Sequence, residues 1–299
     1  MTDPGEEHGF GARLTPEVRM LGRHRSLLGE SPVWHPGEGM LWHVDITGRK
    51  VVRTDPDTGA QDVRDLPDEA GAVFPAAEGV IVALPNGLHA LRSIDAPPVL
   101  LAPSPFDAAV FRFNDGTVDA DGRILVFTCR RKELPRAPDG ALWRFAPGAD
   151  PERLAEGFWT GNGLAPAGEH LFLSDSAPEV RTLWRAPYGD RLGARETIHA
   201  FRDGEGRPDG AALDAEGGCW MAATEGAALV RMARGAIARR VNLPTRRPSK
   251  PVFFGPDLGR LAYTSISETP DVTDPNSGQL LEIVDPGVRG APIPLARLA

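Results

Sequence analysis

Four side chains with oxygen donors stand in comparable short motifs. Glu30 lies in Gly29-Glu30-Ser31-Pro32-Val33-Trp34, and Asn114 opens Asn114-Asp115-Gly116-Thr117-Val118. Asn162 opens Asn162-Gly163-Leu164-Ala165-Pro166, and Asp209 opens Asp209-Gly210-Ala211-Ala212-Leu213. Each reads as a polar residue, one or two small residues, an apolar pair, then a turn and another apolar run. Two carboxylates and two amides brought to one place repel each other and are costly to desolvate unless a cation joins them. Oxygen-only donors, without thiolate or imidazole, favour Ca²⁺, Mg²⁺ or Mn²⁺, and Zn²⁺ also accepts carboxylates. The plainer alternative is local turn chemistry, because Asn or Asp before Gly caps hairpins. Recurrence at one position of a repeat favours the cation.

The elements that must position these residues are strands. Asp-Gly or Asn-Gly pairs begin at Asn86, Asp115, Asp121, Asp139, Asn162, Asp203 and Asp209 and read as hairpin turns. Between them lie apolar runs of strand length: Gly79–Leu84, Arg123–Thr128, His170–Ser174, Gly218–Ala223 and Arg260–Ser265. Weaker copies of the motif begin at Ala70 and Ser249, so the six copies start at 30, 70, 114, 162, 209 and 249. Steps of 40 to 48 residues are the length of a four-stranded blade, and six copies predict an all-β, six-bladed β-propeller. Innermost strands of all blades line one axial channel, which brings equivalent positions together. The stretch from Glu17 to Leu27 is expected to supply a strand that closes the last blade and removes an exposed sheet edge. Residues 1–16 are expected to be a tail, and 17–299 one propeller domain.

Composition narrows the function. The 299 residues carry a formal charge of −8, which argues against a nucleic-acid surface. With 34 Gly and 29 Pro the chain is too turn-rich for a helical bundle, while 41% hydrophobic residues is too many for disorder. No window approaches the roughly 18 apolar residues of a membrane-spanning helix. The N-terminus lacks a basic start and apolar stretch, so a cytoplasmic protein without membrane partners is expected. Cys129 and Cys219 form neither a zinc spacing nor a disulfide framework and read as small strand and core residues. The pairs Arg239-Arg240 and Arg246-Arg247 read as solvated loop charges. No Walker or Rossmann glycine pattern indicates a nucleotide cofactor.

The stretches Leu28–Trp34, Arg112-Phe113-Asn114-Asp115-Gly116, Gly161–Ala165 and Pro208-Asp209-Gly210 resemble the senescence marker protein, regucalcin and gluconolactonase family. Val44-Asp45-Ile46 followed by Asp55-Pro56, and Gly255-Pro256-Asp257-Leu258, resemble it as well, in the family's order from about Gly22 to Ile283. The resemblance implies a six-bladed propeller with one divalent cation in the channel and a sugar-acid lactone as small-molecule substrate. It implies Glu30, Asn162 and Asp209 as metal ligands, Asp209 as the proton donor and acceptor, and Arg112 and Asn114 as sugar contacts. The residue types suit the chemistry. A divalent cation polarises an ester carbonyl and acidifies a bound water, a carboxylate at its edge moves the proton, and an arginine fork fixes hydroxyls or a carboxylate.

The pattern departs from the family at Thr128-Cys129-Arg130-Arg131-Lys132-Glu133. In one register Lys132 replaces the family's substrate-contacting glutamate, which suits a lactone bearing its own carboxylate. Shifted by one, Glu133 does the family's job. Two further readings stand beside the lactonase: a relative acting on non-sugar esters, and a non-catalytic propeller that binds a metabolite or metal.

Overall fold

The computed structural model describes residues 13–267 and 274–298. The expected N-terminal tail lies outside the described residues up to residue 12. Among the described residues all regular structure is strand, arranged in six antiparallel sheets. The first strands of the sheets are Gly29–His35, Ala72–Pro75, Phe111–Val118, Gly161–Ala167, Arg207–Leu213 and Pro248–Phe254, opening blades one to six. Each packs against the first strand of the next blade, and the ring closes between Pro248–Phe254 and Gly29–His35. The molecule is a six-bladed propeller with four strands per blade.

Second strands such as Val80–Leu84 and Cys219–Thr224 read as almost continuous apolar runs because neighbouring blades cover both their faces. The core is accordingly divided among the blade interfaces. Trp42 and Val82 fill the first, Phe113 and Phe145 the second, Phe127 and Phe158 the third. Met221 sits in the fourth, Trp220 and Phe253 in the fifth, and Leu41 and Phe254 in the sixth. The fourth strands, for example Gln61–Asp65 and Glu196–Ala200, are largely exposed and polar.

Blade six takes its outermost strand from the other end of the chain. Val18–Met20 pairs antiparallel with Leu281–Ile283, inside the stretch expected to close the ring. Arg13–Leu14 adds a short parallel pairing at the outer edge of blade five. After blade six, the chain crosses one mouth of the channel. Its Ala291 N–H bonds Leu213 O and its Ala296 N–H bonds Pro75 O.

One device recurs where the candidate residues sit. In five of the six first strands the register slips, so that two residues oppose one: 31–32, 114–115, 163–164, 209–210 and 249–250. Such a bulge bends the strand and re-aims side chains. The repeat register read from sequence is corrected here. Glu30 and Asn162 are the last residues paired before their bulges, whereas Asn114, Asp209 and Ser249 are the first residues within theirs. Backbone conformation accounts for the offset, because the first bulge residues Ser31 (φ 49°) and Gly163 (φ 66°) are left-handed and the other three are not. Ala70 lies before its strand altogether. Asn86-Gly87 and Asp121-Gly122 do turn between strands, but Asp115-Gly116, Asn162-Gly163 and Asp209-Gly210 lie inside strands at these bulges.

Candidate active site

The bulges gather the candidate residues at one end of the channel. Asn114, from blade three, donates from Nδ2 to Asn162 Oδ1 in blade four (3.2 Å) and to Gly161 O (3.0 Å). Asn162 donates in turn to Ser176 Oγ (2.8 Å). Arg112 donates from Nη1 to Asn114 Oδ1 (2.9 Å) and to Phe113 O (2.8 Å), fixing the Asn114 amide with its NH₂ towards blade four. Behind it, Glu69 Oε2 lies 3.9 Å from Arg112 Nε and 3.8 Å from Arg131 Nη1. The chain thus aligns two amides that nothing in their local sequence couples.

Glu30 and Asp209 complete the group. Both are buried, at 7% and 6% exposure, and among the described residues neither makes a salt bridge. Burial, reinforced by Asp209 and then Asp115, holds the Glu30 carboxyl well above the usual range, against the Ser31 N–H and Lys250. Burial likewise pushes Asp209 up to about 7; Arg207 opposes the rise, Asp115 adds to it, and Arg247 and Lys250 oppose it. Two carboxylates raised by burial, with Glu30 raised further by its partner, form a site short of positive charge. The strand that carries Asn162 packs against the one that carries Asp209, and oxygen donors of these types suit a hard divalent cation. No group of three or more His, Cys, Asp or Glu that could hold a metal ion gathers among the described residues.

Beneath them runs a feature that sequence reading missed. Lys250, 5% exposed, reaches across the channel from blade six to blade three. Its Nζ donates to Asp115 Oδ1 (2.5 Å) and to Gly116 O (2.8 Å), while Asp115 Oδ2 accepts the Leu164 N–H of blade four (3.0 Å). The Lys250 side chain passes over Gly210, where a Cβ would stand 2.4 Å from its Cβ. Lysine in a sequence reads as surface; only its place in the bulge next to Ser249 hints otherwise. Past this brace, at the opposite end of the channel, lies a cavity of about 560 Å³ lined by Trp34, Leu164, Tyr188, Ala211, Phe253 and Ile293. It is separate from the carboxylate–amide group.

The remaining candidates are placed as follows. Lys132 and Glu133 are both exposed in the loop after the strand Ile124–Arg130. Cys129 is buried opposite Arg112 in the strand pairing, and burial raises its thiol pKa, consistent with a small strand residue. Burial pushes Cys219 up to about 12. Arg247, read from sequence as a solvated loop charge, is instead half-buried where blade six begins.

Fold and site together define the class: a six-bladed propeller with a buried oxygen-donor cluster at one end of its axial channel. The chain belongs to the SMP-30/Gluconolactonase/LRE-like family, which it matches over residues 28–267. It is 35% identical over 262 residues to the 6-deoxy-6-sulfogluconolactonase of Pseudomonas putida, covering 85% of this chain and 89% of that one. It is 32% identical over 276 residues to regucalcin of Xenopus laevis, covering 88% and 92%. Among solved structures, the calcium-binding protein regucalcin of Agrobacterium tumefaciens superposes with a TM-score of 0.88 at 26% identity, covering 96% of this chain and all of that one.

Proposed function

We propose that this protein hydrolyses the lactone of a sugar acid to the open hydroxy acid, with a divalent cation held by Glu30, Asn162 and Asp209. The observation that carries the reading is the presence, at one mouth of the channel, of two buried carboxylates that form no salt bridge among the described residues, together with a hydrogen-bonded amide pair. The similarity to a sulfogluconolactonase supports the substrate class. When bound, the cation supplies Lewis acidity to the ester carbonyl and acidifies a water.

The chain's own residues do the rest. Asp209 makes no side-chain hydrogen bond among the described residues, so its carboxylate is available to a water on its way to the ester carbon. The water's oxygen bonds to that carbon and its proton passes to Asp209. The ring C–O bond then breaks, and the proton returns to the leaving alkoxide. Arg112 and Asn114 orient the sugar hydroxyls, Arg112 being held by its bonds to Asn114 and Phe113 O. Lys132 or Glu133 contacts the far end of the substrate from its exposed loop.

Acid release from a panel of sugar-acid lactones, with EDTA-stripped protein resupplied with Ca²⁺, Mg²⁺, Mn²⁺ or Zn²⁺, tests the reading. Metal-dependent turnover that Asp209→Ala abolishes is the expected result, and a fully active Asp209→Ala variant would overturn the assignment. A second reading, a cation-binding propeller without turnover, draws support from the similarity to a protein described as calcium-binding. Silence across the panel in protein shown to bind metal would favour it.

A further inference from the structure

Of the three side chains assigned to the cation, Asn162 alone has a wrong way to face. A carboxylate offers oxygen from either side, whereas an amide turned over offers an NH₂ in place of its oxygen. The neighbours of Asn162 decide which end stands where. On one side Arg112, which can only donate, holds Asn114 Oδ1 from its Nη1 (2.9 Å). Gly161 O, which can only accept, takes Asn114 Nδ2 (3.0 Å). The Asn114 amide is thereby fixed at both ends, and its remaining N–H meets Asn162 Oδ1 (3.2 Å). On the other side Asn162 Nδ2 donates to Ser176 Oγ (2.8 Å), and the Ser176 hydroxyl gives its own proton to Thr160 O (3.5 Å). The chain of bonds therefore runs one way, from a guanidinium to a backbone carbonyl. Asn114 uses one lone pair of Asn162 Oδ1 and leaves the other free.

Ser176, 4% exposed, is itself a fixed point. Its N–H donates to Thr160 O (3.0 Å), and its carbonyl accepts Arg207 Nη1 from blade five (2.9 Å). The Asp175 carboxylate before it accepts the N–H groups of Trp159 (2.7 Å), Thr160 (3.1 Å) and Ala177 (3.0 Å). These bonds clamp the turn that leads into Asn162 against the end of the neighbouring strand. The same seam carries Asp209. A Cβ on Gly163 would stand 3.0 Å from Asp209 O, and Ser174 Oγ donates to Pro208 O (3.5 Å). A hydroxyl is thus held rigidly at the NH₂ end of Asn162, beside the strand of the second carboxylate.

We propose that Ser176 is a positioning residue for the cation. By accepting from Asn162 Nδ2 it keeps the amide oxygen, with its free lone pair, as the end available to the ion, and so sets the cation affinity of the site. This rests on the cation-dependent reading given above. Ser176 touches neither ion nor substrate and moves no proton.

The test is calorimetric titration of metal-stripped protein with Ca²⁺, Mg²⁺, Mn²⁺ and Zn²⁺, using wild type, Ser176→Ala, Ser176→Thr, Asn162→Asp and Asn162→Asp combined with Ser176→Ala. In Ser176→Ala the Kd of the best-bound cation is expected to rise about 3- to 10-fold, the worth of one neutral hydrogen bond. Ser176→Thr keeps the hydroxyl and should restore most of the affinity. The Asn162→Asp background separates orientation from packing: a carboxylate presents oxygen whichever way it turns, so there Ser176→Ala should change Kd by less than about twofold. A loss that persists in full beside Asn162→Asp reports a merely structural role and overturns the proposal. If Asn162→Asp itself binds no cation, the contrast between Ser176→Ala and Ser176→Thr decides, and equal losses overturn it. Wild type that binds a cation no more tightly than Ser176→Ala removes the proposal alone. Wild type that binds none of the four removes the cation reading and the proposal together.

Discussion

Replacing Asp209 by Asn should make the metal-free protein more stable while removing its function. The carboxyl is raised from 3.8 to about 7 in the folded chain, first by burial. A group raised in this way favours folding when protonated. Its contribution is complete below the unfolded value near 3.8 and is lost as pH rises through about 7. A difference of about three pH units, at 1.36 kcal/mol each, is up to about 4 kcal/mol of destabilisation at pH 8. Asn removes the charge at nearly constant shape, and Asp209 is also the largest charge raising Glu30. In EDTA at pH 8 the Asp209→Asn variant should therefore gain up to about 4 kcal/mol, or roughly 8 °C in Tm for a chain of this size. At pH 4 the two proteins should be nearly equal. Saturating cation should narrow the gap to about 1 kcal/mol, since a ligand at 100 times its Kd adds about 2.7 kcal/mol to the protein that binds it. Urea denaturation across pH 4 to 8, with and without cation, reads all of this. A stripped variant no more stable than wild type at pH 8, or a gain that persists undiminished at pH 4, would refute the reasoning.

Three further outcomes follow from the same geometry. Lys250→Met strands the buried Asp115 carboxylate and should cost about 3–5 kcal/mol, most of it recovered in Lys250→Met with Asp115→Asn; chemical denaturation of the three proteins checks the coupling. Gly163→Ala places a Cβ 2.6 Å from Met221 Cε and 2.7 Å from Ser174 Oγ at φ 66°, and should cost about 2–4 kcal/mol with weaker cation binding, read by thermal melts and metal titration. His43 is held neutral, its pKa lowered to about 3 by burial and then by His24 against Asp45. The folded state thus binds fewer protons than the unfolded one between about 3 and 6.5. Its share of stability, about 1.4 kcal/mol per pH unit, is lost as pH falls through that window. His43→Gln should flatten the acid limb of the stability profile, and parallel limbs would contradict the assignment.

The propeller was legible because its first and second strands carry their signal locally. A polar residue followed by small residues and an apolar pair marks each first strand, and runs such as Arg260–Ser265 mark the second. The fourth strands were not legible: Gln61–Asp65 and Glu196–Ala200 are polar, exposed edges held by their neighbours' backbone rather than by burial. Glu30, Asn114, Asn162 and Asp209 stand as candidates through an alignment that is off by one between two pairs. Residue types give no sign that Ser31 adopts a left-handed conformation while Asn114 does not. It does so where its Oγ accepts the Val73 N–H (2.9 Å), a contact made between blades. Lys250 and Arg247 escaped because a basic residue in a sequence says nothing of which way its chain runs. The Lys250 side chain meets a partner 135 residues away, and two of the Arg247 nitrogens meet no acceptor among the described residues.

The brace from Lys250 to Asp115 also ties the site to the order of assembly. Its two ends come from opposite blades, so neither half of the ring contains it. The bond forms only after the four blades from the third to the sixth have curved into an arc, late among contacts because distant segments must first be brought together. The Val18–Met20 strand, which joins the last blade to the start of the chain, sets the further condition of a closed circle. Floor and rim of the pocket are therefore both finished late, and an incomplete ring presents Glu30 and Asp209 on separate arcs. On the proposed reading of the site, cation capture would report on closure, available to a complete circle and withheld from its fragments.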